Sequence, residues 1–183
     1  MCKKEIRRRV LSWQLPTAWV ALVVAALHAS TARELDGLEV FAGTKHLTAG
    51  CRSHGLLFGT IEVEDGADQD VLTPAGLAKT ISFLCRVKTR GLLWLRIPRS
   101  SWVTVARSKE RRYFFHPEGN TNNEYTSRHN QLAEVGMNLA WLAYCLGVFF
   151  VIEQPSSSVL FFLVADATHA FQMRLQSRVH YAG

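Results

Sequence analysis

Gly37-Leu38-Glu39-Val40-Phe41-Ala42-Gly43-Thr44-Lys45-His46-Leu47-Thr48-Ala49-Gly50 reads as a short apolar strand, a glycine turn and the start of a helix. Leu38 to Phe41 is the strand, and Glu39 is its one acid. Gly43 makes the turn. Thr44 is placed to cap a helix over residues 45–54, and Gly55 to stop it. Such a unit aims backbone N–H groups and a helix N-terminus at the end of a strand, where α/β proteins hold cofactors.

Outward from that unit the pattern repeats. Residues 56–63 (LLFGTIEV) predict a second strand, running into Glu62, Glu64 and Asp65. Thr73-Pro74 is an N-cap with proline at the first helical position. The helix it opens runs to about Arg90, with Leu77, Ile81, Leu84 and Val87 on one face and Gly91 as its stop. Leu92 to Ile97 is a third strand closed by Pro98, and residues 100–109 are a further helical candidate. Residues 107–130 read as a long polar surface loop. A helix follows over 126–146, striped by Leu132, Val135, Leu139, Leu142 and Leu146. Val148 to Ile152 is wholly apolar, which suits a central parallel strand covered on both faces. The expected fold is α/β: a Rossmann-like parallel sheet with helices on both faces, truncated or partial, over residues 33–183.

Composition sets outer limits. The chain has 183 residues and is 48% hydrophobic, enough for one domain with a core rather than a disordered chain. Its net charge is +6, but Lys3, Lys4, Arg7, Arg8 and Arg9 against Glu5 place four of those charges in the first nine residues. The body is only mildly basic, so global charge is a weak argument for nucleic acid. Cys2, Cys51, Cys85 and Cys145 lack metal-site spacing, so no metal is expected, and the last three read as buried free thiols.

Residues 1–32 differ from the rest. A basic segment precedes an apolar run from Leu15 to Ala29, and the small residues Ser30, Thr31 and Ala32 follow. This is the order of a secretory signal peptide, and the run is short of the roughly 20 residues of a spanning helix. An uncleaved anchor, or an apolar stretch appended to a domain starting near Glu34, remain open alternatives. A real leader implies the secretory pathway or a membrane touched only through this segment. Without it, a nuclear or cytoplasmic location is expected.

The strand ends resemble a family. Glu39-Val40-Phe41-Ala42-Gly43 with Leu47-Thr48-Ala49-Gly50 is similar to the first motif of cytosine-5 DNA methyltransferases, enzymes of the class I S-adenosylmethionine-dependent fold. Ile61-Glu62-Val63-Glu64 is similar to the second motif. Ile97-Pro98-Arg99-Ser100-Ser101-Trp102 stands where the family has Pro-Cys, and Phe150-Val151-Ile152-Glu153-Gln154-Pro155 where it has Glu-Asn-Val. The resemblance covers residues 37–156. It implies that Phe41, Ala42, Gly43 and Thr44 hold the methionine part of S-adenosylmethionine, that Glu39 orients that loop or the ammonium group, and that Glu62 accepts the ribose hydroxyls. It implies that Glu153 reads a flipped cytosine.

The departures are chemical. Arg99 occupies the nucleophile position, and a guanidinium stays protonated at neutral pH. Lys45 and His46 stand where the family has glycines, and the chain ends before any target-recognition region. The expected function is therefore a degenerate, S-adenosylmethionine-dependent methyltransferase-like protein, inactive on cytosine. The alternative is a non-enzymatic DNA- or other nucleic-acid-binding remnant of a mobile-element-associated protein. It would use Arg96, Arg99, Lys109, Arg111 and Arg112, the last three interleaved with Tyr113, Phe114 and Phe115. Read without the resemblance, Glu39, Glu62 and Glu153 are equally solvated or turn-capping acids, and the arginines a solvated surface.

Overall fold

The computed structural model describes residues 17–29, 32–103 and 107–167. Four strands form one parallel sheet: β1 Leu35–Val40, β2 Phe58–Ile61, β3 Val87–Leu95 and β4 Phe149–Ile152. Their order across the sheet is β2-β1-β3-β4. The helices are α1 Thr17–Ala29, α2 His46–Ser53, α3 Pro74–Arg86, α4 Arg107–Glu110, α5 Glu124–Leu146 and α6 Leu160–Ala167. The fold is thus α/β and Rossmann-like.

The path β1→β2 steps one way across the sheet, and β2→β3 steps back past β1. Right-handed crossovers then put α2 on one face and α3 and α5 on the other. The α3 side forms the core: Leu38, Val40, Leu93 and Leu95 are fully buried in the strands, as are Ile81, Leu84, Leu139, Leu142 and Leu146 in the helices. The opposite face is covered by α2 over β1 and β2. On β3 and β4 that face carries Leu92, Trp94, Phe149 and Val151, because parallel partners share a face. Phe149 is 65% exposed there.

That exposure corrects one expectation. The VFFVI run is an edge strand with one uncovered face, not a central strand covered on both. Its uniform apolarity marked burial, but no strand pairs with its outer side among the described residues.

Helix α3 also ends earlier than its periodicity suggests. It stops at Arg86, and Val87 turns directly into β3, where its buried side chain pairs with Leu35. Pairing with β1 outweighs continued helix for this β-branched run. Between Val87 and Leu92 the strand bulges against Asp36, with Arg90 left-handed at φ 67°. Gly91 is required there, because a Cβ would lie 2.8 Å from the Asp36 carbonyl oxygen.

Helix α1 packs against α3, with Trp19 and Val23 buried. The basic segment of the expected leader, and Ser30 and Thr31, lie outside the described residues. So do residues 104–106 of the helical candidate at 100–109; of the rest, Ser100–Trp102 is a turn and Arg107–Glu110 helical. No helix among the described residues is long and apolar enough to cross a membrane.

The chain divides into two compact units, residues 1–97 with 134–153, and residues 98–133 with 154–183. The first holds the sheet. The second is built around Arg112, whose guanidinium lies 3.7 Å over the Trp102 ring. It donates to Ser101 Oγ, Asn130 Oδ1 and the carbonyls of Pro117 and Thr126. The segment expected as a surface loop is therefore organised: α4, a bridge between Tyr113 and His116, and the start of α5 close around one buried cation.

Candidate functional site

Register places the four strand ends in one row. Val40 pairs with Ile61 and Leu95, and Leu95 with Ile152. The next residues are Glu62, Phe41, Arg96 and Glu153, read across the sheet in strand order. Backbone bonds extend the ladder past the strands, from Ala42 N–H to Ile61 O, Arg96 N–H to Val40 O and Glu153 N–H to Leu95 O. The chain reverses direction across the sheet at β1, so this row sits at the topological switch point.

The loop after β1 is strained. Phe41, Gly43 and Lys45 all have positive φ, at 60°, 50° and 57°. Only Gly43 takes that conformation without cost. Lys45 holds a glycine-type backbone and ion-pairs with Asp65. The Phe41 ring lies toward α5, 3.8 Å from where a Cβ on Gly136 would stand.

Glu39 is fully buried on the α2 face of β1. Its Oε2 accepts from Thr48 N–H at 3.0 Å and Thr48 Oγ1 at 2.7 Å. Lys45 is the N-cap residue of α2 and offers no side-chain acceptor, so Glu39 caps the helix from the strand below. The expected cap, Thr44, is exposed and does not cap α2; the reason is that the helix starts one residue later than its sequence suggests. Glu39 Oε1 is buried without a hydrogen bond and faces Arg96 Nη1 at 4.0 Å.

Arg96 draws the row together. Its Nη1 donates to Ala42 O at 3.2 Å, and its Nε lies 3.3 Å from Glu153 Oε2. That same oxygen accepts from Trp94 Nε1 at 2.9 Å. Glu62 stands at the other end of the row, where its Oε2 accepts the Gly43 N–H at 2.6 Å. The loop is thus pinned from both sides, by Glu62 on its amide and by Arg96 on its carbonyl. Chemically the row offers carboxylates at both ends, one left-handed glycine between them, and a guanidinium in the middle.

Of the residues read from the sequence, the first unit brings together Glu39, Phe41, Ala42, Gly43, Glu62, Arg96 and Glu153. Thr44 is exposed at the edge of the loop. The second unit carries Arg99, Lys109 and Arg111, all exposed. Arg112 departs from the expected basic surface: it is fully buried with its donors engaged, because its guanidinium closes the fold of that unit. Burial lowers its pKa to about 10, so it remains charged. Thr48 and Trp94 were not legible as the partners of Glu39 and Glu153: Thr48 lies on the helix after β1 and Trp94 on the strand beside β4, so neither pairing is set by local spacing. Among the described residues no three His, Cys, Asp or Glu side chains gather into a metal-binding set.

The chain matches no protein-family model, no curated protein and no solved structure.

Proposed function

We propose that this chain is a degenerate methyltransferase-like protein whose strand-end row binds S-adenosylmethionine weakly and has no nucleophile for cytosine. The observation that carries the reading is the single row Glu62, Phe41, Arg96 and Glu153 at the switch point, beside the turn into α2. A nucleoside cofactor fits this row in part. Glu62 is only half-buried, and beyond the Gly43 and Glu64 N–H groups it accepts from, its carboxylate keeps lone pairs that can accept ribose hydroxyls. Gly43 is exposed, and the nearest group a Cβ there would meet is Arg96 Nη1 at 3.8 Å. Arg96 opposes the fit, because a guanidinium within 4.0 Å of Glu39 takes the place of a cationic ligand group. When bound, the cofactor supplies an electrophilic methyl group; the chain's part is to hold its ribose and exclude its ammonium.

Calorimetric titration of S-adenosylmethionine into the full chain tests this. Millimolar affinity is expected, tightening about tenfold (about 1.4 kcal/mol) in Arg96→Met, which removes the cation that competes with the ligand's ammonium for Glu39. No heat at millimolar ligand in either protein would sink the reading.

A second reading has its own observation. In the second unit Arg99, Lys109 and Arg111 are exposed together with Tyr113, Phe114 and Phe115, the last 86% exposed. Exposed bases beside exposed aromatic rings, of which Tyr113 and Phe115 stack on each other and Phe114 meets Phe162, suit single-stranded nucleic acid. Binding to an oligonucleotide that weakens steeply with salt supports it; binding indifferent to salt removes it.

A further inference from the structure

The second unit holds a cluster that neither reading uses. Ser100 is exposed on the turn closed by the Trp102 N–H to Arg99 O bond. Its Oγ lies 2.6 Å from the Tyr125 hydroxyl and 3.4 Å from His129 Nε2. Tyr125 and His129 are four residues apart on α5, so they share a face, and their rings are 4.1 Å apart.

The tautomer of His129 follows from its other nitrogen. Nδ1 is 2.8 Å from the Tyr125 carbonyl oxygen. A carbonyl only accepts, so Nδ1 carries the hydrogen. In the neutral ring the Nε2 lone pair then points at Ser100. Burial keeps the ring neutral by lowering its pKa; Arg112 and Arg128 act in the same direction, while Glu110 and the Tyr125 carbonyl oppose them. His129 is 6% exposed, whereas Ser100 is open to solvent. The base is sheltered and the hydroxyl accessible, with a third group orienting the base, as an activated nucleophile needs.

We propose that Ser100 is a nucleophile for carboxylic esters, with His129 as its general base and the Tyr125 hydroxyl as donor to the developing oxyanion. Ser100 Oγ bonds to the acyl carbon as its proton passes to His129 Nε2. The bond to the leaving oxygen breaks, and that oxygen takes the proton from Nε2. Water, deprotonated by the same nitrogen, then attacks the acyl-serine; the acid departs and Oγ regains its proton. The net reaction is ester plus water to acid plus alcohol. The Lys109 ammonium, 5.9 Å over the Tyr125 ring, adds positive potential and favours esters whose leaving oxygen develops negative charge before it is protonated, such as phenyl esters.

The full chain is treated with a fluorophosphonate probe and assayed with p-nitrophenyl acetate. Probe mass should map to Ser100 and disappear in Ser100→Ala, a substitution at an exposed position. His129→Gln should lower the rate about a hundredfold. The wild-type rate should rise with pH through a single ionisation below about 6.5 and then level off, which a purely structural contact would not produce. A wild-type protein that takes no label, label that persists in Ser100→Ala, or a rate without that ionisation overturns the proposal.

Discussion

At the scale of single residues, the strand-end row shows how one side chain can serve two elements. Glu39 was legible as an acid on an apolar strand, and its position suggested a ligand contact. Its structural task is to cap α2 through Thr48, which no spacing rule announces because strand and helix lie back to back only after folding. Glu39→Ala leaves the Thr48 N–H and hydroxyl buried without an acceptor and the helix uncapped. A loss of about 3 kcal/mol is expected in urea unfolding, with Glu39→Gln losing less. A Glu39→Ala midpoint equal to wild type would show that the cap contributes nothing. The thiols behave by burial. Cys85 and Cys145 are buried, and burial pushes the Cys85 thiol up to about 12, while Cys51 is half-buried. Iodoacetamide at pH 8 should modify Cys51 well before Cys85 in the native chain. Equal rates, read by mass spectrometry, would contradict the packing of α3.

At the scale of elements, α3 begins where its sequence says. Thr73 accepts from Gly76 N–H at 3.1 Å, and Pro74 occupies the first turn. Gly76 itself reads as a weakness inside a helix, yet contact explains it: a Cβ there would lie 2.0 Å from the Asp70 carbonyl oxygen. Gly76→Ala should therefore destabilise by about 3 kcal/mol, although alanine is the better helix former. A stabilised variant in thermal unfolding would mean that the loop at Asp70 moves aside freely. The end of α3 was not legible, since Val87-Lys88-Thr89 continues a helical stripe as plausibly as it starts a strand.

At the scale of the whole molecule, the two units differ in what holds them. The first is an apolar sheet core. The second encloses a guanidinium, an imidazole and the Glu110 carboxylate, which accepts from Thr126 Oγ1. His129 has its pKa lowered by burial. Below about pH 6.5 the unfolded chain takes up that proton before the native one, so stability falls as pH drops through and below this value and is fully present above it. Monitoring Trp102 against Trp94 fluorescence, by replacing the other tryptophans with phenylalanine, should show the second unit losing stability first as the pH falls below about 6.5. The reverse order would show that His129 takes up its proton in the folded unit as readily as in the unfolded chain.

Local chemistry in the sequence determined that four apolar runs become strands, that helices alternate with them, and that polar groups gather where the strands stop. Period, caps and glycine placement are short-range signals, and they survive without knowledge of neighbours. Only the tertiary structure decided that the last strand lies at an edge, that Arg112 is interior rather than surface, and that Arg96 lies between Glu39 and Glu153. Each of these depends on which distant segments meet. A charged side chain reads as solvated until the groups that satisfy it, scattered from Ser101 to Asn130 in the case of Arg112, are brought around it.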